Sequence, residues 1–183
     1  MDPLLIIICS ALIVFFVLFL AKLWGFVYPF LFWGGVYVPT LTDRVEKIIR
    51  YLDIKPGDKI VDLGSGDGRL LIAAARAGAK AFGYEICPRL AGIARKKIRE
   101  AGLENKAFVF RKNLWRQDLG EFDSVVVYGM RHMMKGLEEK FEKELKPGAK
   151  VVSNYFALPN WKPESSEDNI YFYVKKSCLD KRI

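Results

Sequence analysis

The chain has 183 residues, a length that suits one α/β domain with a short additional segment. It carries 29 lysine and arginine residues against 21 acidic residues. The resulting net charge of +8 suits anionic lipid, an acidic protein or nucleic acid, without ranking them. Three scattered cysteines, Cys9, Cys87 and Cys178, lack metal-ligand spacing and argue against a disulfide framework or a zinc site. A single histidine, His132, excludes a histidine-based metal site or triad, so we predict no metal.

The most apolar part of the chain lies at its N-terminus. About eighteen residues from Leu4 to Ala21 carry no charge, which is long enough to cross a bilayer core of about 30 Å. Lys22 follows, and then a second apolar run, Leu23 to Val38, is interrupted by glycines and a proline. We interpret this second run as the interfacial end of the helix. Its aromatic residues are of the types that settle at headgroup depth, namely Trp24, Tyr28, Trp33 and Tyr37.

Two alternatives compete with a membrane anchor. A cleaved signal peptide needs a basic start and a small-residue cleavage site, and residues 1–3 supply neither. A buried core helix would normally show a polar face, which the segment lacks. Basic residues concentrate beyond Thr40, so the positive-inside rule predicts a single-pass protein with its soluble domain on the cytoplasmic or equivalent inner side. We therefore predict a membrane anchor and interfacial segment over residues 1–38 and a soluble domain over residues 39–183.

Helices and strands alternate after a hinge at Gly34–Gly35, which predicts an α/β domain with a mostly parallel, twisted sheet. Thr42 and Asp43 are candidate N-caps of the first helix, and residues 164–169 are predicted to form a polar turn. The other helices are predicted at 69–77, 88–100 and 133–145, and the strands at 60–63, 79–85, 107–111, 124–128, 149–156 and 170–174.

The strand that begins at Ile60 runs into three glycines at alternate positions, Gly64, Gly66 and Gly68, and then into a helix. Glycine permits positive φ in a sharp turn and lets the backbone lie against a ligand. A dinucleotide-binding loop would have its third glycine at the position that Arg69 occupies here. The G-x-G-x-G spacing therefore indicates a nucleotide-type cofactor that differs from a dinucleotide.

Acidic residues within and beside this loop point to the chemistry of the cofactor. Asp62 and Asp67 would repel a pyrophosphate, but they suit S-adenosylmethionine, which is cationic and has no phosphate. Glu85 ends the second strand about twenty residues later, where a carboxylate can accept both ribose hydroxyls. We predict that S-adenosylmethionine binds here and that Ser65 also contacts it.

Ligands of such sheets lie at the carboxyl ends of the strands. Asn113 follows the third strand and is a candidate to bond the adenine edge, with Leu114 or Trp115 covering the ring; a packed surface aromatic is an equal alternative for Trp115. Tyr128 ends the fourth strand, where a methyl acceptor would approach, and Tyr155 lies in an aromatic-rich segment at the end of the fifth.

These motifs carry a resemblance to a known family. The motifs are DLGSGDGRLLIAAA, GYEICPRL, the NLW triplet, VVVYGMRHMM, the LEEKFEKEL helix and the LPNWKP loop. Together they resemble the membrane-anchored protein lysine methyltransferases that modify the mitochondrial ATP synthase c-subunit and the adenine nucleotide translocase. Two positions depart from the family pattern, since Asn113 stands where Asp is common and Tyr155 where relatives can carry Arg.

The resemblance implies a Rossmann-like class I methyltransferase preceded by a transmembrane helix. It also implies methyl transfer from S-adenosylmethionine to a lysine of a membrane protein, with Tyr128 and Tyr155 lining the acceptor pocket. Thr40 would contact the methionine end of the cofactor or serve only as a cap at the helix entry. The alternatives are a nucleic-acid or small-molecule methyltransferase and a non-catalytic cofactor-binding module. Residues 128–130 lack the Asp/Asn-Pro-Pro-Tyr signature of many enzymes that methylate nucleic-acid amino groups, so we expect no nucleic-acid partner.

Overall fold

The computed structural model describes residues 3–32 and 37–177. The predicted Gly34–Gly35 hinge, Trp33 and Cys178 lie outside the described residues. The chain divides into two compact units, Met1–Val36 and Tyr37–Ile183, each of which is taken by itself below.

The first unit contains one helix, α1, which spans Pro3–Phe32 and continues through Pro29. It therefore extends well into the second apolar run, which the sequence had assigned to an interfacial end. Within it, Ile6–Leu23 has a mean hydropathy of 2.9 and is exposed rather than packed in a core. Among the described residues this is the one helix long and apolar enough to cross a membrane; a signal sequence would meet the same criterion.

The second unit is a seven-stranded sheet in the order β3-β2-β1-β4-β5-β7-β6. Strands β1 to β5 are parallel, and β7 is antiparallel to both β5 and β6. The strands are β1 Lys59–Leu63, β2 Lys80–Tyr84, β3 Ala107–Phe110, β4 Ser124–Val127, β5 Lys150–Asn154, β6 Ser165–Glu167 and β7 Ile170–Val174. The helices are α2 Thr42–Leu52, α3 Arg69–Arg76, α4 Pro88–Glu100 and α5 Met134–Glu144. This architecture confirms the predicted mostly parallel α/β fold.

Both faces of the sheet are covered, which explains the continuous apolar runs in its central strands. Successive strand residues point to opposite faces. Ile60 accordingly packs with the buried residues of α2, α3 and α4, whereas Val61 and Leu63 pack with those of α5. The alternation places Asp62 on the same face as Ile60, at the carboxyl end of β1.

Two local predictions were wrong. Leu41, rather than Thr42 or Asp43, is the N-cap of α2, and no side chain caps that helix. The polar segment 164–169 is not only a turn, because Ser165–Glu167 forms strand β6 against β7. Asp168 and Asn169, with φ of 49° and 60°, make the two-residue hairpin turn, and Asp and Asn tolerate this conformation better than most residues do.

Candidate active site

The three glycines of the loop between β1 and α3 have φ of 86°, 52° and 78°, so each adopts the conformation that glycine best permits. Their surroundings differ. A Cβ on Gly66 would lie 2.7 Å from the ring of Tyr37, and one on Gly68 would lie 2.9 Å from Cβ of Ala94 in α4. A Cβ on Gly64 would meet no described atom within 4 Å. Gly66 and Gly68 therefore permit close packing, whereas Gly64 borders open space.

Glu85 lies directly beside this loop and is only 6% exposed. Its Oε2 accepts a hydrogen bond from the backbone N–H of Gly66 at 2.9 Å, and its Oε1 accepts one from Cys87 at 2.7 Å. One buried carboxylate thus joins the loop after β1 to the end of β2. The carboxylate retains lone pairs beyond these two bonds, as contact with hydroxyl groups would require.

Asp62 is a buried acid that no cation among the described residues neutralises when it ionises. It is 7% exposed, and the described residues give its carboxylate no hydrogen bond or ion pair. Burial, together with the charges of Glu85 and Asp67, raises the pKa of Asp62 to about 7. The site is consequently suited to a cationic ligand and unsuited to a pyrophosphate.

Asp67, in contrast, is already neutralised within the protein. Its two carboxylate oxygens accept hydrogen bonds from the backbone and side chain of Arg69 and from Nζ of Lys97 in α4. Burial alone would raise the pKa of Asp67, but the hydrogen bonds and charges of Arg69 and Lys97 outweigh it and hold the pKa well below its usual range. Four donors fill the lone-pair positions of this carboxylate, so it holds α3 to α4 and has little capacity left for a ligand.

Arg69 also fixes the chain segment that enters the domain. Its Nη1 donates to the carbonyl oxygen of Thr40 at 2.6 Å, and its guanidinium interacts electrostatically with the hydroxyl of Tyr37. Tyr37, which the sequence had assigned to headgroup depth, instead lies with its ring against Gly66. The sequence did not predict these contacts of Arg69 and Tyr37. The one indication in the sequence was Arg69 itself, which stands where a dinucleotide-binding loop has its third glycine.

Three further predicted cofactor residues take mainly structural positions. Ser65 packs its buried hydroxyl against β2, where a Cβ on Gly83 would lie 2.6 Å from it, and this hydroxyl has no hydrogen-bond partner in the described part of the chain. Oδ1 of Asn113 accepts from the backbone N–H of Trp115 at 2.9 Å and caps the short 3₁₀ helix at residues 114–116. Leu114 is 9% exposed and belongs to the core, which leaves mainly its backbone for a ligand. Their contact with the cofactor, like that of Thr40, stays a prediction.

Trp115 takes the alternative of a packed aromatic, because its ring lies 3.2 Å from the Cβ position of Gly136 in α5. Sequence reasoning also missed Glu138 on the same helix. Its buried carboxylate accepts hydrogen bonds from the backbone of Asn160 and Trp161 at 2.8 and 2.9 Å, and from the amide of Asn160 at 2.7 Å. The Leu-Pro-Asn-Trp loop is therefore fixed to α5 by one residue.

At the ends of β4 and β5 the structure brings two predicted acceptor residues together. The rings of Tyr128 and Tyr155 are 6.2 Å apart, and Tyr155 is 50% exposed. Tyr155 has a φ of 82°, which costs about 1–3 kcal/mol for a residue with a side chain. Phe156 packs edge-on against Tyr155 at 5.2 Å, and the guanidinium of Arg131 lies 5.5 Å from the Phe156 ring. The result is an open aromatic surface on the same sheet edge as the glycine loop.

A seven-stranded sheet with an antiparallel β7, a glycine loop after β1 and a buried acid after β2 defines a class I methyltransferase domain. A family model described as the ANTKMT methyltransferase domain matches residues 62–165. The chain therefore belongs to the ANTKMT methyltransferase domain family. This membership confirms the predicted methyltransferase class and its dependence on S-adenosylmethionine.

Relatives of known name agree with this assignment. The chain is 36% identical over 146 residues to the rat (Rattus norvegicus) lysine N-methyltransferase of the ATP synthase c-subunit, covering 78% of this chain and 67% of that protein. It is 41% identical over 128 residues to the mouse (Mus musculus) adenine nucleotide translocase lysine N-methyltransferase, covering 69% and 56%. The chain thus spans between about half and two thirds of these relatives.

A solved structure is similar over almost its whole length. It is an RNA methyltransferase from Salinibacter ruber in complex with S-adenosyl-L-homocysteine. The two share 33% sequence identity with a TM-score of 0.74, covering 76% of this chain and 94% of that one.

Proposed function

We propose that the domain transfers methyl groups from S-adenosylmethionine to a lysine side chain of a membrane-associated protein. One observation carries the proposal: the open space at Gly64, the buried acids Asp62 and Glu85, and the aromatic pair Tyr128 and Tyr155 share the carboxyl edge of one parallel sheet. This arrangement supports the proposal because it would place a cation-compatible cofactor site and an aromatic acceptor surface at one edge of the sheet.

The residues beside the loop fit the proposed cofactor. Glu85 would accept from the ribose hydroxyls, Asp62 would offset the positive charge of the ligand, and Gly64 admits the ligand because it has no side chain. Asn113 would bond the adenine edge with the acceptor capacity left after its capping bond. When bound, the cofactor supplies a methyl group activated by its sulfonium. The neutral lysine amine would attack the methyl carbon in line as the C–S bond breaks, which leaves S-adenosyl-L-homocysteine, and the methylated nitrogen would then release one proton to solvent.

The acceptor side has to deliver that neutral amine. A lysine in water has a pKa near 10.4 and is almost wholly protonated at neutral pH. The half-buried ring of Tyr128 and the exposed ring of Tyr155 would exclude water around the entering side chain and so disfavour the ammonium form. Their hydroxyls can also accept a hydrogen bond from the nitrogen and align it.

The lysine assignment draws on the two named relatives, which methylate lysine in the ATP synthase c-subunit and in the adenine nucleotide translocase. A direct test incubates the purified chain with methyl-labelled S-adenosylmethionine and isolated membranes. We expect a labelled protein band in which mass spectrometry finds methyl-lysine. A Tyr128→Ala/Tyr155→Ala double variant should lose at least tenfold in labelling while its cofactor affinity stays within about twofold, because a positioning defect alone can cost up to ~100-fold.

A nucleic-acid methyltransferase is the second candidate. It is favoured by the net charge of +8 and by the 33% identity to a protein named as an RNA methyltransferase. The same assay decides between the two when isolated RNA is supplied alongside membranes. Labelled RNA without labelled protein would overturn the lysine proposal.

The N-terminal helix acquires a role under this proposal. We infer a single-pass protein whose domain lies on the cytoplasmic or equivalent inner side, close to substrates in the same membrane. Such tethering raises effective concentration, by up to ~10²–10⁴-fold in favourable cases, without any new contact.

Deleting residues 1–36 tests the tether. The cut should stop there because Tyr37 packs on Gly66 within the domain. We expect methylation of membrane acceptors to fall at least tenfold, since the gain from effective concentration is lost. Cofactor affinity, measured by titration calorimetry, should stay within about twofold. A replacement helix of unrelated apolar sequence should restore the labelling, and unchanged labelling by the truncated protein would contradict the tether.

A further inference from the structure

Tyr155 is held in a left-handed backbone conformation that tyrosine does not favour. With φ of 82° it sits in the left-handed region immediately after β5, and it has no glycine neighbour to relax the turn. A side chain persists in such a conformation only where the surrounding structure over-determines it. The contacts of the flanking residues show what does so.

Arg44, on α2, bonds both to the residue before Tyr155 and to the turn between β6 and β7. Its Nε and Nη2 donate to Oδ1 of Asn154 at 3.0 and 2.6 Å, and its Nη1 donates to the carbonyl oxygen of Asp168 at 2.8 Å. Asn154 directly precedes Tyr155, and Asp168 is the first residue of the β6–β7 turn. The carbonyl oxygen of Asn169, the second residue of that turn, accepts a hydrogen bond from the backbone N–H of Tyr155 at 2.6 Å.

The bonds to Asn154 are unlike ordinary surface contacts. Asn154 is only 1% exposed, and its Nδ2 has no hydrogen-bond partner among the described residues. Its orientation therefore depends on the two bonds that its Oδ1 receives from Arg44. A guanidinium can make all three bonds at once because its donors form a rigid fork, which a lysine ammonium does not reproduce.

We propose that Arg44 is a positioning residue for methyl transfer, which fixes the Tyr155 ring at the acceptor surface by holding Asn154 and the β6–β7 turn. The proposal rests on the proposed function, in which Tyr155 lines the acceptor pocket. Arg44 acts through Tyr155 and makes no contact of its own with the acceptor.

The test uses the full chain, methyl-labelled S-adenosylmethionine and isolated membranes at limiting concentration. We expect Arg44→Gln to lower the initial rate roughly 10- to 100-fold, because displacing a positioning group by about 1 Å has effects of that size. The more conservative Arg44→Lys should recover little of the rate. The dissociation constant of S-adenosylmethionine should stay within about twofold in both variants, since neither reaches the glycine loop.

A double-mutant cycle separates this role from general destabilisation. In a Tyr155→Ala background, Arg44→Gln should lower the rate by less than about threefold, because the group that it positions is already gone. The amide hydrogen of Tyr155 should exchange faster in Arg44→Gln than in the wild type. Equal losses in both backgrounds, or unchanged protection of that amide, would overturn the proposal.

Lys47 provides a matched control on the same helix. It pairs with the side chains of Glu167 and Asp168 at the same hairpin, but both are more than half exposed and Lys47 does not bond Asn154. Lys47→Gln should change the rate by less than about twofold, as expected for surface ion pairs. If the wild type itself transfers no methyl group, the proposed function fails. If the wild type is active and Arg44→Gln is equally active, only the positioning role fails.

Discussion

Replacing Glu85 with glutamine is expected to weaken S-adenosylmethionine binding by at least ~100-fold, equivalent to about 2.7 kcal/mol, and to remove most methyl transfer. Both carboxylate oxygens already accept backbone N–H groups, from Gly66 and Cys87. A glutamine amide must turn its NH₂ group toward one of these donors. The variant therefore loses a charge-assisted bond, worth about 1.5–3 kcal/mol, and places two donors face to face in a buried site.

The expected loss exceeds that of a simple contact because Glu85 has two tasks. It would accept the ribose hydroxyls, and it also holds the Gly66 amide, which sets the path of the loop past Gly64. A shift of the loop would misplace every backbone group that faces the ligand.

Titration calorimetry with S-adenosylmethionine measures the effect directly. Glu100→Gln is a suitable control, because Glu100 is an exposed acid that pairs with Lys96 at 3.7 Å on the surface of α4. It should bind the cofactor with wild-type affinity. Near-normal binding by Glu85→Gln, with a dissociation constant within about threefold of the wild type, would show that the carboxylate is not part of the cofactor site.

How far the sequence predicted the site depends on the range of the interactions involved. The glycine loop and Glu85 were predictable because a strand, a turn and the end of the next strand follow a fixed local order. The contacts of Arg69 were not, since its partners Tyr37 and Thr40 lie about thirty residues earlier. Lys97, which shares the Asp67 carboxylate with Arg69, lies 28 residues after Arg69. No local pattern states which distant groups an arginine will reach.

The same reasoning explains the misassigned regions. The polar run at 164–169 predicts a turn by composition, yet three of its residues pair with β7 because that strand needs a partner on its free edge. The left-handed Tyr155 has no sequence signal at all, since tyrosine does not favour that region and tertiary contacts impose it. The residue types at the ends of β4 and β5 predicted that Tyr128 and Tyr155 lie together. They did not predict that Arg44 bonds to Asn154 beside Tyr155.

Asp62 and Asp67 show why charge alone misleads at such a site. Both were predicted to face the cofactor because both are acidic and lie in the loop region. Asp67 is neutralised by Arg69 and Lys97, so its charge serves the packing of α3 against α4. Asp62 has no such partner among residues 3–32 and 37–177, and its pKa is raised by the charges of two other acids, Glu85 and Asp67. The uncompensated negative charge of the site is therefore concentrated at Asp62 and Glu85.

This imbalance makes the stability of the cofactor-free protein depend on pH through Asp62. Burial, with the charges of Glu85 and Asp67, raises its folded-state pKa to about 7, whereas an unfolded aspartate titrates near ~3.9. Between these two values the folded protein retains a proton that the unfolded chain has released. The free energy of unfolding contributed by this group is therefore fully present below about pH 4 and falls by about 1.4 kcal/mol per pH unit until pH 7.

Asp62→Asn should remove this dependence. We expect the unfolding free energy of the wild type, relative to that of the variant, to fall by about 2–3 kcal/mol between pH 5 and pH 8. Denaturant unfolding of both proteins in the same detergent, without cofactor, measures the difference, and titrations common to both largely cancel. Wild-type affinity for S-adenosylmethionine should rise with pH toward 7, because a cationic ligand favours the ionised carboxylate, and the affinity of the variant should be lower and flatter. Parallel stability curves for the two proteins would show that Asp62 is ionised in the folded state throughout this range and would contradict the prediction.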